Sequence, residues 1–246
     1  MNFHKKPVTI GAVALAMALP AASWAQQQES VTVSGVLTGS LSATSDYRFR
    51  GLSRTFNDPA LQGGVQFTLP SRFYVGAWAS VVDKEIFANS SGYEVDLVAG
   101  YRHPLGNGMD LDVGLVQYLF PSESQFSTLE AFGGVNWRWL SAKYYYTLSN
   151  RYFGAGNAKG TQYLELNGAY PVGDGFRAVA HFGITRGQSG ARDYIDWSAG
   201  VAKDWRGFTF GLAYHDTDSD FEFTNRAGST RDLGNGGLVL SVSRSF

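Results

Sequence analysis

The chain of 246 residues has no cysteine, which removes disulfide frameworks and thiolate metal sites from consideration. Charge is sparse: 17% of residues are Asp, Glu, Lys or Arg, and 20 basic residues stand against 21 acidic ones, so no basic stripe points to nucleic acid. Long hydrophobic runs are nearly absent too. One occupies residues 8–19, and at twelve residues it falls short of the roughly 20 that a membrane-spanning helix needs. No cofactor motif is found: the paired glycines, such as Gly63-Gly64 and Gly133-Gly134, lack a phosphate-loop context and suit bends in a curved sheet.

The apolar run lies where a secretory signal would lie. Lys5 and Lys6 precede it, Pro20 breaks it, and Ser23, Trp24 and Ala25 supply a small-x-small cleavage site. Residues 1–25 are therefore expected to be a cleaved Sec signal, residues 26–33 a short periplasmic segment, and residues 34–246 one folded domain. Removing the signal takes away two lysines and no acid, leaving a net charge of about −3.

The remaining chain has abundant aromatics (15% of the whole sequence) and many of the 30 glycines but no helix-period stretch, which points to β structure. At that level a soluble sandwich and a membrane barrel both survive. Alternation separates them, because a membrane barrel puts its apolar set toward lipid and its polar set toward the lumen. Tyr93, Val95, Leu97, Ala99 and Tyr101 share one face, against Glu94, Asp96, Val98, Gly100 and Arg102 on the other. Phe176, Ala178, Ala180, Phe182 and Ile184 repeat the pattern, as do Phe208, Phe210, Leu212 and Tyr214. Twelve segments follow it: 34–50, 60–69, 72–83, 93–103, 109–119, 128–139, 141–149, 161–170, 175–185, 193–203, 207–215 and 236–246. Most have the roughly 9–11 residues that a tilted strand needs to cross a bilayer.

The connections alternate between short and mostly longer ones, the rhythm of periplasmic turns and external loops. Long first and long last, with an even strand number, fits both termini in the periplasm. Outward aromatics collect near strand ends, with Tyr101, Trp139, Tyr170, Phe176, Phe208 and Phe246 at the periplasmic rim and Tyr47, Tyr93 and Tyr214 at the other. The expected fold is thus an all-β, transmembrane, antiparallel up-and-down barrel of about twelve strands in the bacterial outer membrane. Its partners would be outer-membrane lipids, lipopolysaccharide and, through the strand ending at Phe246, the barrel-assembly machinery. Arg244 falls on the lipid side near the rim, where a long side chain can snorkel. No apolar seam requires a second subunit, so a monomer is expected.

Three stretches carry a family resemblance. Ser45-Asp46-Tyr47-Arg48-Phe49-Arg50-Gly51-Leu52-Ser53, then Pro59-Ala60-Leu61-Gln62-Gly63-Gly64, then Phe73-Tyr74-Val75-Gly76-Ala77-Trp78-Ala79-Ser80 resemble the opening of the TorF family of porins. Glu94-Val95-Asp96-Leu97 and Gly100-Tyr101 extend the likeness, which covers about residues 40–102. It implies an outer-membrane, porin-like protein and supplies no substrate.

Strand direction places Glu94, Asp96, Glu130, Glu165 and Asp196 inward in the external half, with Arg48 and Arg50 at the same level and Arg54 nearby. Arg48 and Arg50 should face Glu130 and Glu165 across the lumen, while Arg138 and Arg177 lie nearer the periplasm. Five acids against two or three arginines favour small cations or zwitterions in a pore lined by these residues. The competing reading is a structural barrel plugged by charges that pair off. An enzyme is the other rival: His215 beside Asp216 resembles a dyad, but a lipid hydrolase of this architecture would want a His-Ser pair, and no such dipeptide occurs. The acids of residues 216–222 read as solvated loop charges, with bridging of divalent ions to lipopolysaccharide as an alternative and no metal site expected. Residues 150–160 read as a small, flexible loop.

Overall fold

A computed structural model describes residues 34–87 and 91–246 of the chain. The expected signal sequence and the 26–33 segment lie outside the described residues. Twelve antiparallel strands follow one another around a closed barrel, each paired with its neighbours in sequence and the last with the first. They are β1 (Val36–Thr44), β2 (Ala60–Thr68), β3 (Phe73–Val81), β4 (Tyr93–Gly106), β5 (Met109–Leu119) and β6 (Thr128–Trp137). The second half comprises β7 (Leu140–Thr147), β8 (Gln162–Gly173), β9 (Phe176–Arg186), β10 (Tyr194–Trp205), β11 (Phe208–Thr217) and β12 (Gly237–Ser245).

The strands form where the period-two pattern runs, and their faces separate as that pattern requires. Along β9, Phe176, Ala178, Ala180 and Phe182 are exposed on the outside, while Arg177, Val179, His181 and Gly183 turn inward. An outer surface of Leu41, Leu61, Val75, Leu97, Leu212 and Leu240 would be unfavourable in water and is what hydrocarbon accommodates. Closure leaves no unpaired edge, which lipid cannot hydrogen-bond. At the seam Ser40 pairs with Ser245 and Thr44 with Ser241, and Phe246 and Gly39 exchange backbone bonds of 2.8 and 3.0 Å.

One end of the barrel carries the short connections. Asn107-Gly108, Asp174-Gly175 and Arg206-Gly207 each join two strands with both residues at positive φ (52° and 76°, 51° and 74°, 51° and 82°), the turn whose twist matches that of paired strands. The other end carries the long connections, 45–59, 82–92, 120–127, 148–161, 187–193 and 218–236. Aromatic pairs mark the short-turn rim, Phe73 with Tyr101 at 4.8 Å and Trp139 with Tyr170 at 5.2 Å, while Trp197 and Tyr214 stand toward the long-loop end. Arg244 is exposed near the short-turn rim, its guanidinium 5.3 Å from the Phe208 ring.

The first segment departs from expectation. A single strand over 34–50 is replaced by β1 ending at Thr44 and a separate hairpin, Arg48–Phe49 with Leu52–Ser53. Alternation persists through residues 47–50, but the pairing partner is local rather than the barrel wall. The Asp46 carboxylate breaks the run by accepting bonds from Ser53 Oγ (2.6 Å) and Thr55 Oγ1 (3.0 Å). Tyr47, expected in an outer aromatic girdle, is consequently buried inside the lumen.

Candidate functional site in the barrel lumen

The connection from β1 to β2 folds into the barrel instead of standing above it. Arg50 and Gly51 form its tip, at φ 51° and 79°. Gly51 lies so close to the wall that a Cβ there would sit 2.5 Å from Thr217 Cγ2 and 2.6 Å from Asp196 Cβ. Glycine meets both demands, the left-handed backbone and the close approach.

Two buried ion pairs fasten the inward-folded connection to the wall, one from the hairpin tip and one from the residue just after it. Arg50 donates to both oxygens of Glu130 on β6 at 3.0 and 2.6 Å, and to the Tyr152 hydroxyl at 2.9 Å. Its guanidinium lies 4.1 Å from the Tyr163 ring centre, and Glu130 also accepts from Thr147 Oγ1 at 3.2 Å. Burial is the largest single influence and works against the Arg50 charge, but the Glu130 carboxylate together with the Tyr152 and Tyr118 hydroxyls outweighs it, so the guanidinium is held above its already high ordinary pKa. Arg54 meets Glu94 on β4 at 2.5 Å, with its guanidinium 3.9 Å from the Phe49 ring and 4.3 Å from Phe153. Arg48 pairs with Asp46 within the same connection and donates to the carbonyls of Gly51 and, in the 218–236 connection, of Leu233 and Asn235 at 3.0–3.1 Å. Fork-shaped arginines suit this role because each can satisfy several acceptors at once.

Around these pairs the long-loop half is packed with aromatics. Tyr47, Phe87, Tyr118, Phe120 and Phe132 are buried, with Phe49, Trp78, Phe126 and Phe153 against them. Tyr152 and Phe153 come from a small hairpin within 148–161, Arg151–Tyr152 with Ala155–Gly156. That corrects the flexible-loop reading of 150–160: its aromatics are drawn inward, and Tyr152 is 9% exposed.

Open space remains beside and below the hairpin. A cavity of about 510 Å³ lies between the hairpin and the wall of β12, β1 and β2, lined by Ser42, Thr44, Gln62, Ser241 and Ser243 together with Asp96. It adjoins one of about 380 Å³ that continues past Thr38, Ser40, Gln66 and Ser245, with Trp78 and Asp96 bordering both. A third, of about 320 Å³, lies under the hairpin tip among Tyr145, Tyr163, Glu165, Asn167, His181 and Ser198, and shares Arg48 and His215 with the first. The wall beside these spaces carries small hydroxyls and amides, the chemistry of a wetted surface.

The nine residues expected to line a pore are thus spread over distinct settings. Arg50, Glu94 and Glu130 are buried in the hairpin's anchoring pairs, so the charge facing across the lumen is largely cancelled. Arg48 borders two cavities, but from the hairpin and not from β1. Asp196 is buried, accepting from Tyr163 at 3.2 Å and facing His181 Nε2 at 2.8 Å. Asp96 and Glu165 border the cavities and have no ion-pair partner among the described residues; Glu165 accepts from Tyr145 at 3.3 Å. Arg177 meets Asp204 at 2.8 Å on the short-turn rim. Arg138 occupies the exposed turn between β6 and β7, at φ 55°, rather than the lumen.

His215 and Asp216 are consecutive on β11 and so face opposite sides: His215 borders the lumen cavities, while Asp216 accepts from the Thr217 backbone at 2.9 Å. Sequence reasoning missed Tyr152, Phe153, Phe87 and Phe120 as lumen residues. Their signal was present, as aromatics standing in otherwise polar loops.

The fold is a closed twelve-stranded antiparallel barrel with an apolar outer face, and it matches the fold of porin-like outer-membrane barrels. The chain belongs to the Gcw_chp family, described as bacterial protein of unknown function, whose model matches residues 27–246. That match does not carry the TorF name. Among solved structures the chain is similar to a NanC porin, at TM-score 0.53 and 10% identity, over 86% of this chain and 99% of that one. It is similar to a KdgM porin at TM-score 0.50 and 10% identity, with the same coverage. A KdgM porin in complex with disordered oligogalacturonate gives TM-score 0.51, again at 10% identity and the same coverage. Identities this low establish a shared fold. Comparison with curated proteins gives no match.

Proposed function

We propose that the protein is an outer-membrane channel of porin type, through which small hydrophilic solutes or ions diffuse beside an inward-folded hairpin, with a weak preference for cations. The observation that carries this reading is the run of adjoining cavities along the Ser-, Thr- and Gln-lined wall of β12, β1 and β2, left open by a hairpin whose ion pairs reach β4 and β6 and whose tip lies against β10 and β11. Cation preference follows from subtracting the paired charges: Asp96 and Glu165 remain as acids bordering the cavities.

The signal-like residues 1–25, the lipid-type outer face and the TorF-like residues 40–102 support export to the outer membrane and a porin role. Lipids and lipopolysaccharide would surround the barrel, and the assembly machinery would receive β12 and Phe246. A plugged barrel is the second reading, favoured by the two buried ion pairs that hold the hairpin in place. A lipid hydrolase is disfavoured because its His215–Asp216 dyad is not assembled.

Liposome swelling with solutes graded in size and charge tests the channel reading. Small amines and zwitterions should enter faster than anions of equal size. Entry no faster than into protein-free liposomes would favour the plug.

A further inference from the structure

Tyr118 on β5 is 5% exposed, and its ring is held by Phe49 at 5.4 Å and Phe153 at 5.0 Å. Buried tyrosine hydroxyls usually find a partner, but this one has none among the described residues. It is not sealed in either, and the residue lines the 320 Å³ cavity under the hairpin tip. Other groups around that cavity also have hydrogen-bonding capacity to spare. Glu165 on β8 accepts from Tyr145 through Oε1 and has no partner at Oε2. Asn167 follows on the same face, with its Oδ1 against His181 Nδ1 at 2.7 Å, which leaves its amide nitrogen free. Ser198 on β10 and His215 on β11 make no side-chain hydrogen bond among the described residues. By contrast Arg48, Arg50 and Asp196, which line the same space, are committed to partners.

We propose that this cavity is a binding subsite for a single neutral, polyhydroxylated ring of monosaccharide size. The free groups are of mixed kind: a carboxylate oxygen that accepts, an amide nitrogen that donates, and two hydroxyls and an imidazole that do both. Sugar hydroxyls also do both, so one ring can answer all of them. An ammonium group only donates; it would find no use for the Asn167 amide and would sit beside the Arg50 guanidinium. A carboxylated solute would meet the unpaired charge of Glu165. The volume lies at the lower end of the roughly 300–1,000 Å³ of ligand sites, enough for one ring and too little for a chain. Tyr145 and Tyr163 add ring surface for the C–H face of a sugar. Entry is from the polar passage, since Arg48 and His215 border this cavity and the 510 Å³ one alike.

The site's role in permeation rests on the channel reading; the binding itself does not. Binding is therefore measured first, by saturation-transfer NMR on the folded barrel in micelles of an amine-oxide detergent, which carries no sugar. Glucose ring protons should receive saturation, and glucosamine and glucuronate several-fold less. Tyr118→Phe removes only an unpaired oxygen and should lower the glucose signal in an intact barrel. Glu165→Gln should weaken glucose and relax the exclusion of glucuronate. Ser198→Leu, which fills the cavity from β10, should abolish transfer; if that variant does not fold, Tyr118→Phe decides. No transfer to glucose from folded wild type would overturn the site, as would a signal that Tyr118→Phe leaves unchanged. A stronger signal for glucosamine would overturn the neutral class. In planar bilayers glucose should reduce the ion current of the wild type more than that of Tyr118→Phe, and equal reduction would contradict the role in permeation. A barrel that never conducts would remove the porin reading, while the NMR signal would still decide the site.

Discussion

Arg50 and Glu130 lie 80 residues apart in the chain and meet inside the barrel through two parallel hydrogen bonds of 3.0 and 2.6 Å. The pair spans from a hairpin rooted in β1 to the wall strand β6, on the far side of the ring. Its geometry fixes how far the hairpin reaches and hence which side of the lumen stays open.

Breaking this pair from one side should release the hairpin. Glu130→Gln leaves a buried guanidinium without its counter-charge, a loss of about 3–5 kcal/mol for a pair of this kind. The cost falls on the hairpin, since β6 keeps its backbone ladder with β5 and β7. Conductance should rise and become noisier, while the folded barrel keeps its gel mobility. Replacing both partners by apolar residues, Arg50→Met with Glu130→Leu, should restore most of the wild-type behaviour, because neither charge is then left unpaired.

Gly51→Val should displace the hairpin without touching any charge. The valine meets a left-handed backbone at φ 79° and a wall at 2.5–2.6 Å, two conflicts that relieve together if the tip withdraws. Larger solutes should then enter liposomes that exclude them with the wild type. Unchanged size exclusion would mean that the tip does not set the constriction.

The barrel itself was legible in the sequence because lipid and lumen impose opposite chemistries on alternate residues, and β4, β9 and β11 state that alternation plainly. Asn107-Gly108 and Asp174-Gly175 announce their turns for an equally local reason. The hairpin was not legible as such. Tyr47, Arg48, Phe49 and Arg50 alternate like strand residues, and period two does not tell whether the partner is a neighbouring strand or the chain three to five residues ahead. Arg48 and Arg50 were expected to face Glu130 and Glu165 from the wall of the first strand; Arg50 instead meets Glu130 from a hairpin, and Arg48 pairs with Asp46. Their mutual neutralisation depends on a loop entering the lumen, which no local pattern encodes.

Leu240 and Ser241 are neighbours near the middle of β12 that face opposite sides. An arginine at Leu240 meets hydrocarbon and should cost about 2–4 kcal/mol at the bilayer midplane. Urea unfolding in vesicles would measure it. Arginine at Ser241 enters the 510 Å³ cavity, so it should leave stability nearly unchanged and reduce cation flux. Equal costs at the two positions would refute the inside–outside assignment.

The Phe246 ring lies against Gly39, where a Cβ would be 2.6 Å from the ring carbons, and the two residues are joined by backbone bonds. Phe246→Ala keeps the backbone bonds and loses the packing across the β1–β12 seam. Assembly into vesicles carrying the barrel-assembly machinery should slow several-fold, with little change in the properties of barrels once folded. Wild-type assembly rates would remove Phe246 from that step.

Whether ions pass the hairpin is read most directly by single-channel recording of the refolded barrel in a planar bilayer under a salt gradient. Discrete openings with a reversal potential displaced toward the cation are the expected result, reflecting Asp96 and Glu165 beside an otherwise neutral passage. A folded, inserted barrel that stays silent at every applied voltage would contradict it, and would make the hairpin a plug.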